Sequence, residues 1–170
     1  KEKGVYKDVH PNALLGAVQG EVIRRAGIDA GAVDNVIAGC VQQIGEQSLN
    51  IGRNAWLQAG LPIEVPATTI DLQCGSSQHA TNLGSGLVAS GADDVVVSCG
   101  VEHMGHHPMS EGIDPNPRFV SERLVDPDAL VMGKTAENLH DRFPHLTRER
   151  ADAFAAASQQ KVADAYATGA

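Results

Sequence analysis

Leu14, Leu15, Val18, Val22 and Ile23 recur at the three- and four-residue spacing of a helix face. Pro11 suits a first helical turn and Gly27 a stop, so the spacing predicts an amphipathic helix over 11–26 with one buried face. After the turn-rich Asp29-Ala30-Gly31, residues 35–41 form a short apolar run with β-branched members, the pattern of a buried strand. A second helix is predicted over about 49–59, stopped by Gly60 and Pro62. There follow a strand over 67–72, a small-residue helix over 76–90, and a strand over 94–98 built on Val95, Val96 and Val97.

Strand, helix, strand, helix, strand at short spacing is the signature of crossovers in a mostly parallel sheet with helices on its faces, and the fold class is therefore α/β. Past Gly105 the texture changes. Residues 106–128 hold Pro108, Pro115, Pro117 and Pro127 with little periodicity, which predicts a long surface excursion. Two helices follow, over 134–142 and 147–167; in the second, Ala151, Phe154, Ala155, Ser158, Val162 and Ala165 share a face. Only three strands are legible, and the last helix has no later element to pack against, so the pattern is that of a chain cut short.

A length of 170 residues with 42% hydrophobic and 20% charged positions is ordinary for a soluble globular protein. No window approaches the roughly 18 consecutive apolar residues of a membrane span, and Lys1-Glu2-Lys3-Gly4-Val5-Tyr6 lacks the apolar centre of a secretion signal. The formal charge of −8 comes without any Lys/Arg cluster, which argues against a nucleic-acid partner. Cys40, Cys74 and Cys99 form no CxxC pair and leave one over, so neither a disulfide framework nor a zinc knuckle is supported. The expected location is the reducing cytoplasm.

Cys74 stands where a buried strand gives way to a helix. There the first-turn N–H groups and the positive end of the helix dipole favour a thiolate. Gly75, Ser76 and Ser77 are small, which lets a substrate carbonyl approach the sulfur and a backbone N–H meet a developing oxyanion. The plainer alternative is a compact buried cysteine at a tight turn. His103, His106 and His107 have a spacing open to metal binding, but no carboxylate or thiol is fixed beside them in the sequence, so they read as exposed loop histidines and no metal is expected. His79, five residues beyond Cys74 on a helix, points elsewhere at about 100° per residue. Cys40, Cys99 and Trp56 read as core, and Glu102 as a carboxylate bonded to turn amides.

Gln73-Cys74-Gly75-Ser76-Ser77-Gln78, preceded by Val65-Pro66-Ala67-Thr68-Thr69, resembles the segment around the acyl-accepting cysteine of thiolases. Other pieces are similar in the same order: Gly39-Cys40-Val41-Gln42-Gln43 with Gly45, Gln47, Asn50 and Arg53; Ala59-Gly60-Leu61-Pro62; Gly100-Val101-Glu102-His103-Met104; Met132-Gly133-Lys134-Thr135-Ala136-Glu137-Asn138; and 147–159.

The resemblance implies a layered thiolase-like fold of which this chain is the first half only. Residues 1–105 would be the amino-terminal core with an incomplete sheet, lacking even the family's first strand, and 106–170 the start of an inserted loop domain. It implies Cys74 as the catalytic nucleophile, Met132 as a substrate-binding residue, acyl-CoA and CoA as substrates, no separate cofactor, and a homodimer or homotetramer paired near 68–72. The activating histidine, a second proton-moving cysteine and an asparagine that orients an oxyanion-hole water would come from the carboxy-terminal half. Val131 stands where many short-chain thiolases have a histidine, and Ser76-Ser77-Gln78-His79 resembles the enzymes of longer or sterol-derived chains as much as the short-chain type. A ketoacyl synthase-like condensing enzyme and a non-catalytic thiolase-like lipid-binding protein are the alternatives.

Overall fold

The computed structural model describes residues 4–109, 111, 118–123 and 131–169, which fall in two compact units, Lys1–Ile113 and Asp114–Ala170. The first unit is built on a parallel sheet of β1 (Asn35–Gly39), β2 (Ala67–Ile70) and β3 (Val96–Gly100), in the order β2-β1-β3. Val36 pairs with Ala67 on one side and Val97 on the other, and Gly39 with Ile70 and Gly100. Three helices connect the strands or lead into them: α1 (Pro11–Ala26), α2 (Ile51–Gln58) and α3 (Ser76–Ser90). The α/β class and the parallel sheet predicted from the periodicity are those observed.

Side-chain alternation along the strands assigns the two faces of the sheet. Val36, Ala38 and Cys40 with Val97 point toward α1 and α2, where they meet Leu15, Ile23, Ile51, Ala55 and Trp56. Trp56 is fully buried and donates its indole N–H to Pro62 O at 2.8 Å, so its polar end is satisfied inside the core. Burying a side chain of the size of Leu15 or Ile51 is worth about 2–3 kcal/mol. On the other face, α3 buries only Ser76, Ala80 and Gly84, four residues apart, against β1 and β3. A Cβ at Gly84 would stand 2.9 Å from Ser98 Oγ, so the small residues bring α3 close to the sheet.

The buried stripe of α1 differs from the predicted one. Leu15, Gln19 and Ile23 lie inward with Gly16, whereas Val18 and Val22 are 59% and 45% exposed. A Cβ at Gly16 would come 2.7 Å from Ala55 O, so glycine lets the two helices cross there and fixes which stripe faces in. Gln19 enters the core because its amide donates to Gly52 O at 3.1 Å and to Cys99 Sγ at 3.6 Å.

Element ends shift for local reasons. The helix predicted from 49 begins at Ile51 because Leu49 and Asn50 take left-handed backbone, φ 57° and 63°, and Asn50 caps Arg53 N–H. The strand predicted from 94 begins at Val96 because the Asp94 and Val95 N–H groups donate to Asp34 Oδ2, at 2.8 and 2.9 Å. These two bonds also hold the Asp34 carboxyl below its ordinary pKa.

The second unit contains α4 (Arg118–Ser121), α5 (Met132–Arg142) and α6 (Arg148–Thr168). The short α4 lies inside the stretch read as an irregular excursion; 110, 112–117 and 124–128 of that stretch lie outside the described residues. Thr147 caps α6, its hydroxyl accepting from Arg150 N–H, and Gly169 ends it in left-handed backbone. The predicted apolar face of α6 is bare, with Phe154 80% exposed. No helix among the described residues is long and apolar enough to cross a membrane.

Candidate active site

Cys74 sits in a five-residue elbow, Asp71 to Gly75, between β2 and α3. The strand predicted to reach Leu72 ends at Ile70, whose carbonyl accepts from Cys40 N–H at 3.0 Å as the last bond between the two strands' ends. Beyond it the side chains take over the backbone groups. Gln73 N–H donates to Asp71 Oδ1 at 2.7 Å, and Leu72 N–H donates to Ser76 Oγ at 3.0 Å. The Ser76 hydroxyl in turn donates to Gln73 O at 2.6 Å, while Gly75 N–H reaches Leu72 O at 3.0 Å. Gln73 is thereby held at φ 50°, the left-handed region that costs any residue with a Cβ.

The turn aims the next residue outward at the head of a helix. Cys74 is exposed, Gly75 is the N-cap and brings no side chain to the helix end, and the N–H groups of Ser77 and Gln78 have no acceptor among the described residues. Free first-turn donors and the helix dipole together give this end of α3 a partial positive charge.

Two glycines on the sheet set the height of that helix end. A Cβ at Gly39 would stand 2.6 Å from Ser77 N and 2.7 Å from Ser76 C, and a Cβ at Gly100 would lie 2.1 Å from Ser77 Oγ. The small residues after Cys74 therefore let α3 rest on the carboxyl ends of β1 and β3. Sequence reasoning missed Asp71, Gly39 and Gly100 as parts of this site, and it read Ser76 only as a small residue rather than as a hydrogen-bonding one. Two adjacent strands each ending in glycine was the available signal.

The other cysteines are placed as predicted. Cys40 is buried, and burial pushes its thiol up to about 12, with the Glu102 and Asp71 carboxylates adding to the effect. Cys99 is half-buried and burial pushes it to about 11, against a weak opposing contact from Gln19. Met132 opens α5 in the second unit and is 77% exposed.

The histidines after β3 are not the exposed loop residues of the sequence reading. His103 and His107 are each 7% exposed, and carboxylates stand beside the group: Glu46 Oε2 is 2.7 Å from His106 Nδ1 and 3.8 Å from His107 Nε2, and Glu111 Oε2 is 3.0 Å from His107 Nδ1. These carboxylates come from residues 60 positions before His106 and four after His107, so sequence proximity gave no sign of the first. Even so, no group of three or more such side chains among the described residues is arranged to hold a metal ion. Glu102 behaves as predicted, accepting from the Val41 N–H at 2.8 Å, and it also receives the buried Gln47 amide at 2.9 Å. Gln47 Oε1 accepts from His103 N–H at 2.7 Å, which ties the segments after β1 and β3 together at the carboxyl end of the sheet, the end that carries Cys74.

Comparison with known proteins agrees with this architecture. The family model for the thiolase N-terminal domain matches residues 1–170. The chain is 40% identical over 169 residues to a 3-ketoacyl-CoA thiolase of Saccharophagus degradans, covering 99% of this chain and 42% of that protein. It is 40% identical over 168 residues to one of Pectobacterium carotovorum subsp. carotovorum, covering 98% and 43%. The crystal structure of the Bacillus anthracis acetyl-CoA acetyltransferase superposes with a TM-score of 0.76 at 32% identity, over 98% of this chain and 44% of that one. The chain thus spans a little over two fifths of the length of these relatives, and with its whole length matched by the N-terminal domain it belongs to the thiolase family.

Proposed function

We propose that the protein containing this chain is a thiolase that cleaves 3-ketoacyl-CoA, with Cys74 as the residue that carries the acyl group. The observation that carries the reading is the exposed Cys74 at the head of α3, beside free first-turn donors, in a family whose relatives are named for this chemistry. The Cys74 thiolate adds to the 3-keto carbon of the substrate, and the bond between C2 and C3 breaks. The electron pair leaves on C2 as the enolate of acetyl-CoA, which takes a proton. The thiolate of a free CoA then attacks the acyl-Cys74 thioester, releasing the shortened acyl-CoA and regenerating Cys74. Run backward, the same steps are a Claisen condensation.

In this reading the groups that move protons lie on the part of the protein beyond these residues. Residues from 106 onward open the inserted loop domain, and Met132 is a substrate-binding residue. The absence of disulfides among Cys40, Cys74 and Cys99 suits the cytoplasm. β2 is a short edge strand of the sheet, half-exposed, and pairing it with its twofold mate in a homodimer or homotetramer covers it. The direct test is Cys74→Ser in the full-length protein: thiolysis of acetoacetyl-CoA and of a longer 3-ketoacyl-CoA should both fall by at least about 1000-fold. Turnover within about tenfold of wild type would remove Cys74 from the chemistry.

A further inference from the structure

We infer that Ser76 and Asp71 are positioning residues for this reaction: together they hold Gln73 in left-handed backbone, and that conformation places Cys74 at the head of α3. The inference rests on the reading of Cys74 as nucleophile.

The argument starts from a cost. A residue with a Cβ at φ 50° is held against its own preference, so something in the surroundings must over-determine it. Two side chains do so from opposite sides of the Gln73 peptide units. Asp71 Oδ1 takes the Gln73 N–H at 2.7 Å, and the Ser76 hydroxyl gives its proton to Gln73 O at 2.6 Å. Ser76 Oγ also accepts from Leu72 N–H at 3.0 Å, so one hydroxyl satisfies a donor before the strained residue and an acceptor on it. Ser76 is 5% exposed and is seated directly over Gly39 of β1, where an added Cβ would stand 2.9 Å from the Ser76 Cβ. The residue is therefore seated on the sheet, and its two hydrogen bonds tie the elbow to that seat.

Without these two contacts Gln73 relaxes toward negative φ. The Cys74 Cα and its N–H then rotate away from the helix axis, although the sulfur itself has lost no direct partner. A displacement of about 1 Å at a reacting atom can cost on the order of 100-fold in rate. Substrate held by other parts of the protein is still bound, so the loss falls on kcat.

The experiment uses the full-length enzyme and five variants: Ser76→Ala, Asp71→Ala, Gln73→Gly, and Gln73→Gly combined with each of the first two. Glycine adopts positive φ without the steric cost, so it removes the need for the clamp. Ser76→Ala should lower kcat for thiolysis roughly tenfold or more, with KM within about twofold of wild type. Adding Gln73→Gly should bring kcat back to within about threefold of the Gln73→Gly enzyme. Asp71→Ala should behave the same way with a smaller loss; Asp71 is exposed, so this arm stands even if Ser76→Ala does not fold. Unchanged kcat in both single variants, or losses that Gln73→Gly does not relieve, would overturn the inference. Cys74→Ser measured alongside separates the two levels. If it stays active, the reading of the nucleophile has failed; if it is inactive while the clamp variants turn over normally, only the positioning role has.

Discussion

Gly39 lies directly beneath Ser77: a Cβ at position 39 would stand 2.6 Å from the Ser77 backbone nitrogen, nearer than real Cβ atoms come to any such atom. The obstruction is backbone, which has no rotamer to escape into, so Gly39→Ala must push the first turn of α3 off the sheet. Overpacking of this kind costs about 1–3 kcal/mol. We expect Gly39→Ala to lose stability of that order in urea titration of the full-length protein and to lose activity beyond what the unfolded fraction explains. An unperturbed, fully active variant would mean that α3 does not rest on β1 as described.

The His106 imidazole faces two acceptors. Its Nδ1 is 2.7 Å from Glu46 Oε2 and its Nε2 is 2.6 Å from Lys7 O, so only the doubly protonated ring donates to both. The Lys7 carbonyl first, then Glu46, raise its pKa above 6.5, while His106 first and then the charges of His10, His106 and His107 lower that of Glu46 below 4.5. Stability from the raised histidine is fully present below about pH 6.5 and is lost as pH rises through its higher folded value. Stability from the lowered carboxylate is present above about pH 4.5 and lost as pH falls through its folded value. The two overlap between about 4.5 and 6.5, where His10, stacked His103, His107 and Glu111 are the other groups near the pair. The Tm advantage of the wild type over Glu46→Gln should therefore shrink from about pH 6 to about pH 9. A constant or growing advantage would contradict a charged His106.

Brief alkylation with iodoacetamide should label Cys74 first. It is exposed, whereas burial raises Cys40 and Cys99 to about 12 and about 11, leaving almost no thiolate there near neutrality. Peptide mass spectrometry of the folded full-length protein reads the order directly. Faster labelling of either core cysteine would reverse the assignment of roles.

Ile70→Glu places a charge on the half-exposed edge strand β2. If β2 pairs with its twofold mate, light scattering should show the full-length protein shifting toward the monomer. A wild type that is already monomeric and active at micromolar concentration would dispose of the pairing.

Periodicity carried most of the architecture. The bounds of α1 and α3 agree with the spacing to the residue, because Pro11, Gly27 and Gly91 are local signals that act without tertiary help. Where a side chain from far along the chain decides, the pattern is silent. Asp34 claims the N–H groups of Asp94 and Val95, and Gly16 against Ala55 selects which stripe of α1 turns inward. The site divided in the same way. Cys74 was legible from a strand-to-helix junction and a family-like motif, but the left-handed Gln73 and its clamp were not, since glutamine gives no hint of positive φ. The burial of the histidines is not legible because His107 is held by Gln42 and Glu46, and His103 by Gln47, about sixty residues earlier.

The central claim is that Cys74 carries the acyl group. Full-length enzyme mixed with acetyl-CoA, quenched in acid within seconds and digested should yield the peptide containing Cys74 heavier by one acetyl group, with Cys40 and Cys99 unmodified. Adding excess CoA before the quench should remove the label. An acetyl group on any other residue, or one on Cys74 that CoA does not discharge, would contradict the account.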